Sequence, residues 1–307
     1  VFENGVATEI LAGLAQTPKR IAPKYFYDQR GSELFDAITR LDEYYLPTAE
    51  QHIFDQFRSE ICAQIGAGKT IVEPGAGSCE KIRWLLPELA LKEYRPMDIS
   101  AEHLASSAAV LRSDYPELRV VPIVCDHSGG LDSPEMRALP GPVFFYPGSS
   151  IGNFEPEAVV QFLASMRGAM DQDGGLLIGV DAKKDPDILH AAYNDRDGLT
   201  AAFNLNILSH LNVCAGAEFD TDNFEHVALY SEPAGRIEMH LRSHVDQDVQ
   251  VAGHTVYFKR GELTHTENSY KYDPHEFVEL AAQAGLGASH IWQDESRFFT
   301  LLYLTPG

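Results

Sequence analysis

Thr70-Ile71-Val72-Glu73-Pro74-Gly75-Ala76-Gly77-Ser78-Cys79-Glu80-Lys81-Ile82-Arg83-Trp84-Leu85-Leu86 decides how this chain is read. Ile71 and Val72 are β-branched and suit a buried strand. Glu73 follows, then a tight turn at Gly75 and Gly77. Ile82, Leu85 and Leu86 recur at helical spacing, which predicts a helix over about 79–89. Strand, glycine turn and helix in this order bring backbone N–H groups close to a ligand, an approach that bulkier residues block. The pattern is acidic-x-Gly-x-Gly, not Gly-x-Gly-x-x-Gly, and the Gly-Lys-Ser/Thr of a phosphate-binding loop is missing. A ligand without phosphates but with a cationic centre suits a glycine turn beside a carboxylate, and S-adenosylmethionine is such a cofactor. Two glycines in a turn of this kind can also serve packing alone, so the stretch needs support from the rest of the chain.

Composition narrows the class. The chain has 307 residues, enough for one large α/β domain or two ordinary ones. Hydrophobic residues make up 44%, sufficient for a sizeable core. A formal net charge of −21 without a basic run argues against nucleic acid, an anionic membrane surface or a polyanionic substrate. Cys62, Cys79, Cys125 and Cys214 are widely spaced, with neither a Cys-x-x-Cys pair nor zinc-like Cys/His spacing. They read as reduced thiols, with no metal site expected. No apolar run approaches the roughly 20 residues of a membrane span. Val1-Phe2-Glu3-Asn4-Gly5 lacks the basic and apolar regions of a signal peptide. A cytoplasmic monomer working on a small molecule is the expectation.

Upstream of the glycine stretch, residues 6–17 predict a short amphipathic helix. Ser32 is read as the cap of a helix carrying Leu34, Phe35 and Ile38. Tyr25, Tyr27, Tyr44 and Tyr45 make this region rich in tyrosine, which serves packing more often than ligand contact. A helix over about 49–65 leads into the glycine turn. Beyond the turn, strands and helices alternate as in a parallel doubly wound sheet. A second strand, 93–98, ends on Asp98, where a ribose-binding carboxylate belongs; capping the next helix is the other role open to it. A third strand, 119–124, leads to Asp126, which can accept from the exocyclic amine of an adenine or cap a loop. A fourth, 142–146, delivers Pro147-Gly148-Ser149-Ser150-Ile151-Gly152-Asn153-Phe154 at its carboxyl end, where open α/β sheets bind ligands. Asn153 is therefore a candidate to face the reacting group. A helix over 155–170 and a strand over 175–181 complete the run. The alternation then breaks. Residues 185–212 read as helical, and strands over 227–231, 236–243, 250–259 and 263–272 read as an antiparallel addition. A helix from Pro274 to Ala284 and a hairpin of 290–292 with 298–304 close the chain.

Several segments together carry a specific resemblance. They are Phe26-Tyr-Asp-Gln-Arg-Gly-Ser-Glu-Leu-Phe-Asp, Glu43-Tyr-Tyr, Glu73-Pro-Gly-Ala-Gly-Ser-Cys-Glu-Lys and Gly148-Ser-Ser-Ile-Gly-Asn. Tyr193-Asn-Asp-Arg-Asp-Gly-Leu-Thr-Ala-Ala-Phe-Asn-Leu-Asn and Thr266-Glu-Asn-Ser follow in order. Over nearly its whole length the chain resembles the histidine Nα-methyltransferases of ergothioneine biosynthesis. The resemblance implies an α/β fold with a class I Rossmann-like methyltransferase sheet. It also implies a second, α+β substrate-binding domain, built from the N-terminal segment and an insertion. Residues 51–183 and 272–307 would form the first, and 1–50 and 184–271 the second. It implies S-adenosylmethionine as cofactor, held by Glu73, Gly75, Gly77, Lys81, Asp98 and Asp126. Tyr27, Gly148, Ser150 and Asn153 would surround the methyl transfer. Asn153 and Tyr193 would hold the amino and carboxylate groups of L-histidine. Glu267 and Ser269 would grip its imidazole, with Tyr27, Tyr44, Phe203 and Met239 around it.

The chemistry of the last motif fits that expectation. Glu267 and Ser269 are two apart, so on a strand they face one side, and together they can satisfy an imidazole nitrogen. A polar edge strand with its side chains in water is the competing reading of Thr266-Glu-Asn-Ser269. There are departures from the family pattern. Pro74 stands where an apolar, non-proline residue is expected, and Ser150 where threonine is expected. Leu46-Pro47-Thr48 stands where Pro-Thr-Arg is usual, so an arginine is missing. Methylation of tryptophan, tyrosine or another small amine is the alternative activity, and a non-catalytic cofactor-binding regulator is a further one.

Overall fold

The structure is a computed structural model and describes residues 4–126, 131, 136, 139 and 141–307. Val1, Phe2 and Glu3, part of the segment weighed above as a signal peptide, lie outside the described residues. Along the chain the strands are β1 (Lys19–Arg20), β2 (Thr70–Pro74), β3 (Glu93–Asp98), β4 (Ile123–Val124), β5 (Val143–Tyr146), β6 (Gly175–Asp181), β7 (Phe224–Ser231), β8 (Arg236–Ser243), β9 (Gln247–Val251), β10 (His254–Phe258), β11 (Leu263–Tyr270), β12 (Leu286–Gln293) and β13 (Phe299–Pro306). The chain divides into two compact units. One comprises Val1–Tyr44 and Asp185–Ser269, the other Tyr45–Lys184 and Tyr270–Gly307. Among the described residues no helix is long and apolar enough to cross a membrane.

The unit of Tyr45–Lys184 and Tyr270–Gly307 is built on a seven-stranded sheet in the order β12-β13-β6-β5-β2-β3-β4. β2 pairs in parallel with β3 and β5, and β5 with β6, whereas β13 runs antiparallel to both β6 and β12. The inner strands are apolar on both faces, as a covered parallel sheet requires: Ile71, Val72, Phe144, Phe145, Leu176, Leu177 and Ile178 are all fully buried. The chain runs outward from β2 to β4 and then returns to β5. The strand order therefore reverses between β2 and β5, the place where a doubly wound sheet opens a crevice. Two expectations need correction here. The helix expected over 79–89 is a single 3-10 turn, Lys81–Trp84, because Pro87 has no N–H to continue the winding and disfavours helical backbone at Leu86. The strand expected over 119–124 shrinks to Ile123–Val124 and an isolated bridge from Val120 to Tyr94, because Pro122 cannot donate to a ladder.

The other unit holds a four-stranded sheet in the order β1-β11-β8-β7 and the separate hairpin β9–β10. β7 and β8 are antiparallel, while β1 joins β11 in parallel. The helix Leu199–Cys214 lies against β7 and β8 with Phe203, Ile207, Leu208 and Leu211 buried. The expected continuous helix over 185–212 is two helices, Pro186–Tyr193 and Leu199–Cys214. Gly198 breaks it at a φ of +70°, and the Asp195 carboxylate accepts from the N–H groups of Leu199 and Thr200, both at 2.8 Å. The helix Gln29–Ile38 is capped by Asp28, whose carboxylate takes the Gly31 N–H at 2.6 Å. Ser32, the expected cap, lies inside that helix.

Candidate active site

In the sheet unit, β2 brings Glu73 to its carboxyl end. Glu73 is 2% exposed and accepts the Tyr94 hydroxyl of the neighbouring β3 at 2.6 Å. Burial, above all, pushes its carboxyl up to about 8, against which the Tyr94 bond and the charge of Lys81 act. The chain then turns through Gly75 and Gly77 with φ of +68° and +51°, a region that side chains enter at a cost. The turn is tied to β3 by two bonds. The Ala76 N–H donates to the Met97 carbonyl at 2.9 Å, and the Gly77 N–H to Asp98 Oδ2 at 3.0 Å. Asp98 Oδ1 takes the Ser100 N–H at 2.9 Å, so Asp98 shapes both the glycine turn and the entry to the next helix. Asp126 is exposed, just past β4.

Lys81 stands in the 3-10 turn that follows. Its ammonium is 2.6 Å from Glu50 Oε2 and 5.7 Å from the centre of the Trp84 ring, which itself packs on Phe54 at 5.1 Å. The loop after β5 approaches from the neighbouring strand. Gly148 has a φ of +77°, and a Cβ there would lie 2.6 Å from Lys81 Nζ. Its N–H donates to Glu50 Oε1 at 2.9 Å. Ser149 also has a positive φ, and its hydroxyl accepts the Asp181 N–H at 2.9 Å. Exposed Ser150 and half-buried Asn153 open and close the short 3-10 turn Ser150–Asn153. The structure thus brings Glu73, Gly75, Gly77, Lys81 and Asp98 together, with the Gly148 loop beside Lys81.

Four polar residues here, Glu50, Asp181, Lys184 and Lys271, were missed by sequence reasoning. Glu50, on the helix Leu46–Ile65, is fully buried. Asp181, at the end of β6, is fully buried and gathers Tyr45 Oη at 2.7 Å, Lys271 Nζ at 2.7 Å and Lys184 Nζ. Burial acts to raise its carboxyl, but Lys271 and Lys184 outweigh this and hold it below the usual range. Burial brings Lys184 down to about 8, with Asp181 opposing. The one available signal was an acid ending the apolar run Gly175-Leu-Leu-Ile-Gly-Val-Asp181.

In the other unit, β11 carries Glu267 and Ser269, both buried along with Thr266 and Asn268. The reading with side chains in water is excluded, since all four are buried. Tyr193, at the end of its helix, donates its hydroxyl to Ser269 Oγ at 2.7 Å. Thr266 donates to Asn204 Oδ1 at 2.8 Å and to the Met239 carbonyl at 3.1 Å, which fixes the strand next to Glu267. An aromatic group accompanies them. The Tyr27 ring lies 5.9 Å from Phe203, Phe35 links Phe203 to Tyr44 at 5.9 and 6.5 Å, and Tyr44 meets Tyr193 at 6.1 Å. Met239, on β8, is 2% exposed.

A family model described as histidine-specific methyltransferase, SAM-dependent, matches residues 6–306. The chain belongs to this family. This methyltransferase is 39% identical over 302 residues to the histidine N-alpha-methyltransferase of Mycolicibacterium smegmatis, covering 95% of this chain and 92% of that protein. It is 38% identical over 299 residues to the histidine N-alpha-methyltransferase of Mycobacterium tuberculosis, with the same coverage. Its fold is similar to the crystal structure of PH0226 protein from Pyrococcus horikoshii OT3, with a TM-score of 0.50 at 14% identity over 92% of this chain and 100% of that one. It is an enzyme, and S-adenosylmethionine is its cofactor.

The donor set fits that cofactor. Each oxygen of Asp98 accepts one backbone N–H and has a second lone pair for a ribose hydroxyl. The Lys81 ammonium has three donors, of which Glu50 takes one, leaving capacity for a carboxylate.

Proposed function

We propose that this methyltransferase carries three methyl groups in turn to the α-amine of L-histidine, giving the betaine hercynine, the first step of ergothioneine biosynthesis. The observation that carries the substrate reading is the burial of a carboxylate and a hydroxyl, Glu267 and Ser269, two residues apart on β11. A carboxylate in that position calls for an N–H donor. An imidazole can supply that donor and a phenyl isostere cannot. In this proposal the unit of Val1–Tyr44 and Asp185–Ser269 is the substrate-binding domain, where Tyr27, Tyr44, Phe203 and Met239 surround the imidazole. Tyr193 and Asn153 hold the carboxylate and amine, and Gly148, Ser150 and Asn153 line the path of the methyl group. Glu73, Gly75, Gly77, Lys81, Asp98 and Asp126 hold the cofactor.

The cofactor supplies a methyl group on a sulfonium, already activated towards displacement. The neutral α-amine attacks that carbon in line, so a C–N bond forms and the S–C pair returns to sulfur as S-adenosylhomocysteine leaves. The new ammonium sheds a proton to water before each following round, and the third transfer leaves a permanent cation. The chain's own work is orientation and exclusion of water. Tyrosine hydroxyls and the Gly148–Asn153 loop accept hydrogen bonds from the amine and turn its lone pair to the methyl carbon. Incubation with histidine and labelled cofactor, followed by mass spectrometry, should reveal mono-, di- and trimethylhistidine. Their absence, or faster methylation of tryptophan or tyrosine in a panel of amino acids, would refute the proposal.

A further inference from the structure

Glu50 is a carboxylate with no place in the methyl transfer as derived above, yet it is fully buried on the helix Leu46–Ile65. A buried carboxylate carries a large desolvation penalty unless its oxygens are occupied, and apolar residues of similar size often stabilise a fold as well or better. Its two oxygens are divided between two loops. Oε2 holds Lys81 Nζ at 2.6 Å, in the turn after β2, and Oε1 holds the Gly148 N–H at 2.9 Å, in the loop after β5. β2 and β5 are the neighbouring strands at which the sheet order reverses. Space for the pair is left by two glycines. A Cβ on Gly179 would lie 2.6 Å from Glu50 Oε1, and one on Gly148 would lie 2.6 Å from Lys81 Nζ. The pair also bears on the buried Glu73, whose carboxyl Glu50 pushes up and Lys81 pulls down.

We infer that Glu50 is a positioning residue for methyl transfer: it aims the Lys81 ammonium at the cofactor's carboxylate with one oxygen and fixes the Gly148 loop with the other. The inference rests on the proposed roles of Lys81 and Gly148. Two conservative variants separate the two bonds. Glu50→Gln can still accept the Gly148 N–H but presents no charge to Lys81. It should weaken S-adenosylhomocysteine binding in calorimetry about ten- to hundredfold, the range of a lost charged hydrogen bond. It should raise the KM for the cofactor in step and leave kcat at saturation within about threefold. Glu50→Asp keeps the charge within reach of the flexible lysine but is too short for the loop. Its affinity should stay near that of the wild type while kcat falls. Lys81→Ala should weaken binding as Glu50→Gln does, and the double variant should be no weaker than Lys81→Ala alone.

Wild-type affinity in a folded Glu50→Gln protein, or additive losses in the double variant, would overturn the inference. So would a Glu50→Asp protein that loses affinity but keeps kcat, a reading available even if Glu50→Gln does not fold. Wild-type affinity in Lys81→Ala has a different meaning: it would remove Lys81 from the cofactor site, and the role of Glu50 with it.

Discussion

Glu73 shows how a single carboxyl group can be set against its own charge. Its place beneath the glycine turn is dictated by β2, and burial moves it from an ordinary value of 4.5 to about 8. The folded state therefore holds this proton to higher pH than the unfolded chain does. The stability it contributes is complete below the ordinary carboxylate range and is lost as pH rises through about 8. The melting temperature of the wild type should fall by several degrees more than that of Glu73→Gln between about pH 6 and about pH 9. Equal slopes in differential scanning calorimetry would mean that Glu73 is ionised throughout. The acid itself was visible in the sequence as the first residue of a cofactor motif. Its buried partner Tyr94 was not, because nothing local announces a bond between two strands that are distant in sequence.

At the scale of elements, caps and breakers decided what the hydrophobic pattern left open. Asp28 closes the helix Gln29–Ile38 through the Gly31 N–H and also receives Asn206 Nδ2 at 2.8 Å. Asp28→Ala should cost about 1–2 kcal/mol, seen as a lower melting temperature in thermal denaturation, whereas Ser32→Ala should cost none of the cap energy. Strands β2, β3, β5 and β6 were legible because apolar runs ending in acids or glycines have a single good reading in a doubly wound sheet. The helix expected after the glycine turn failed at Pro87, and the third strand failed at Pro122. In both cases the periodicity was correct, and a missing N–H overruled it. The hairpin β9–β10 likewise replaced one long strand, where Ala252 and Gly253 both take positive φ.

At the scale of the molecule, the motifs of the family span both units, while each proposed binding function lies mainly within one. Glu267→Ala should therefore lower kcat/KM for histidine about tenfold to a few hundredfold, the cost of losing a charged hydrogen bond, and leave the calorimetric affinity for S-adenosylhomocysteine within about twofold of the wild type. Comparable losses in both would mean that Glu267 supports the whole fold and not the imidazole. The point at which strand–helix alternation stops, near residue 185, coincides with the division between the two units at Lys184 and Asp185. The buried carboxylates Glu50 and Asp181 were not legible, since charges that pair between distant parts of the chain, as Glu50 does with Lys81 and Asp181 with Lys271, look like surface charges in a sequence. The placement of Lys81 near Trp84 gives the protein an optical handle. The chain has two tryptophans, and the Trp84 indole lies within 5.7 Å of the ammonium proposed to meet the cofactor's carboxylate. Emission from that ring responds to a nearby charge, so cofactor binding should register as a change in intrinsic fluorescence, fast enough for stopped-flow mixing. The signal should vanish in Trp84→Phe and persist in Trp292→Phe, which makes the enzyme its own reporter of the step before chemistry.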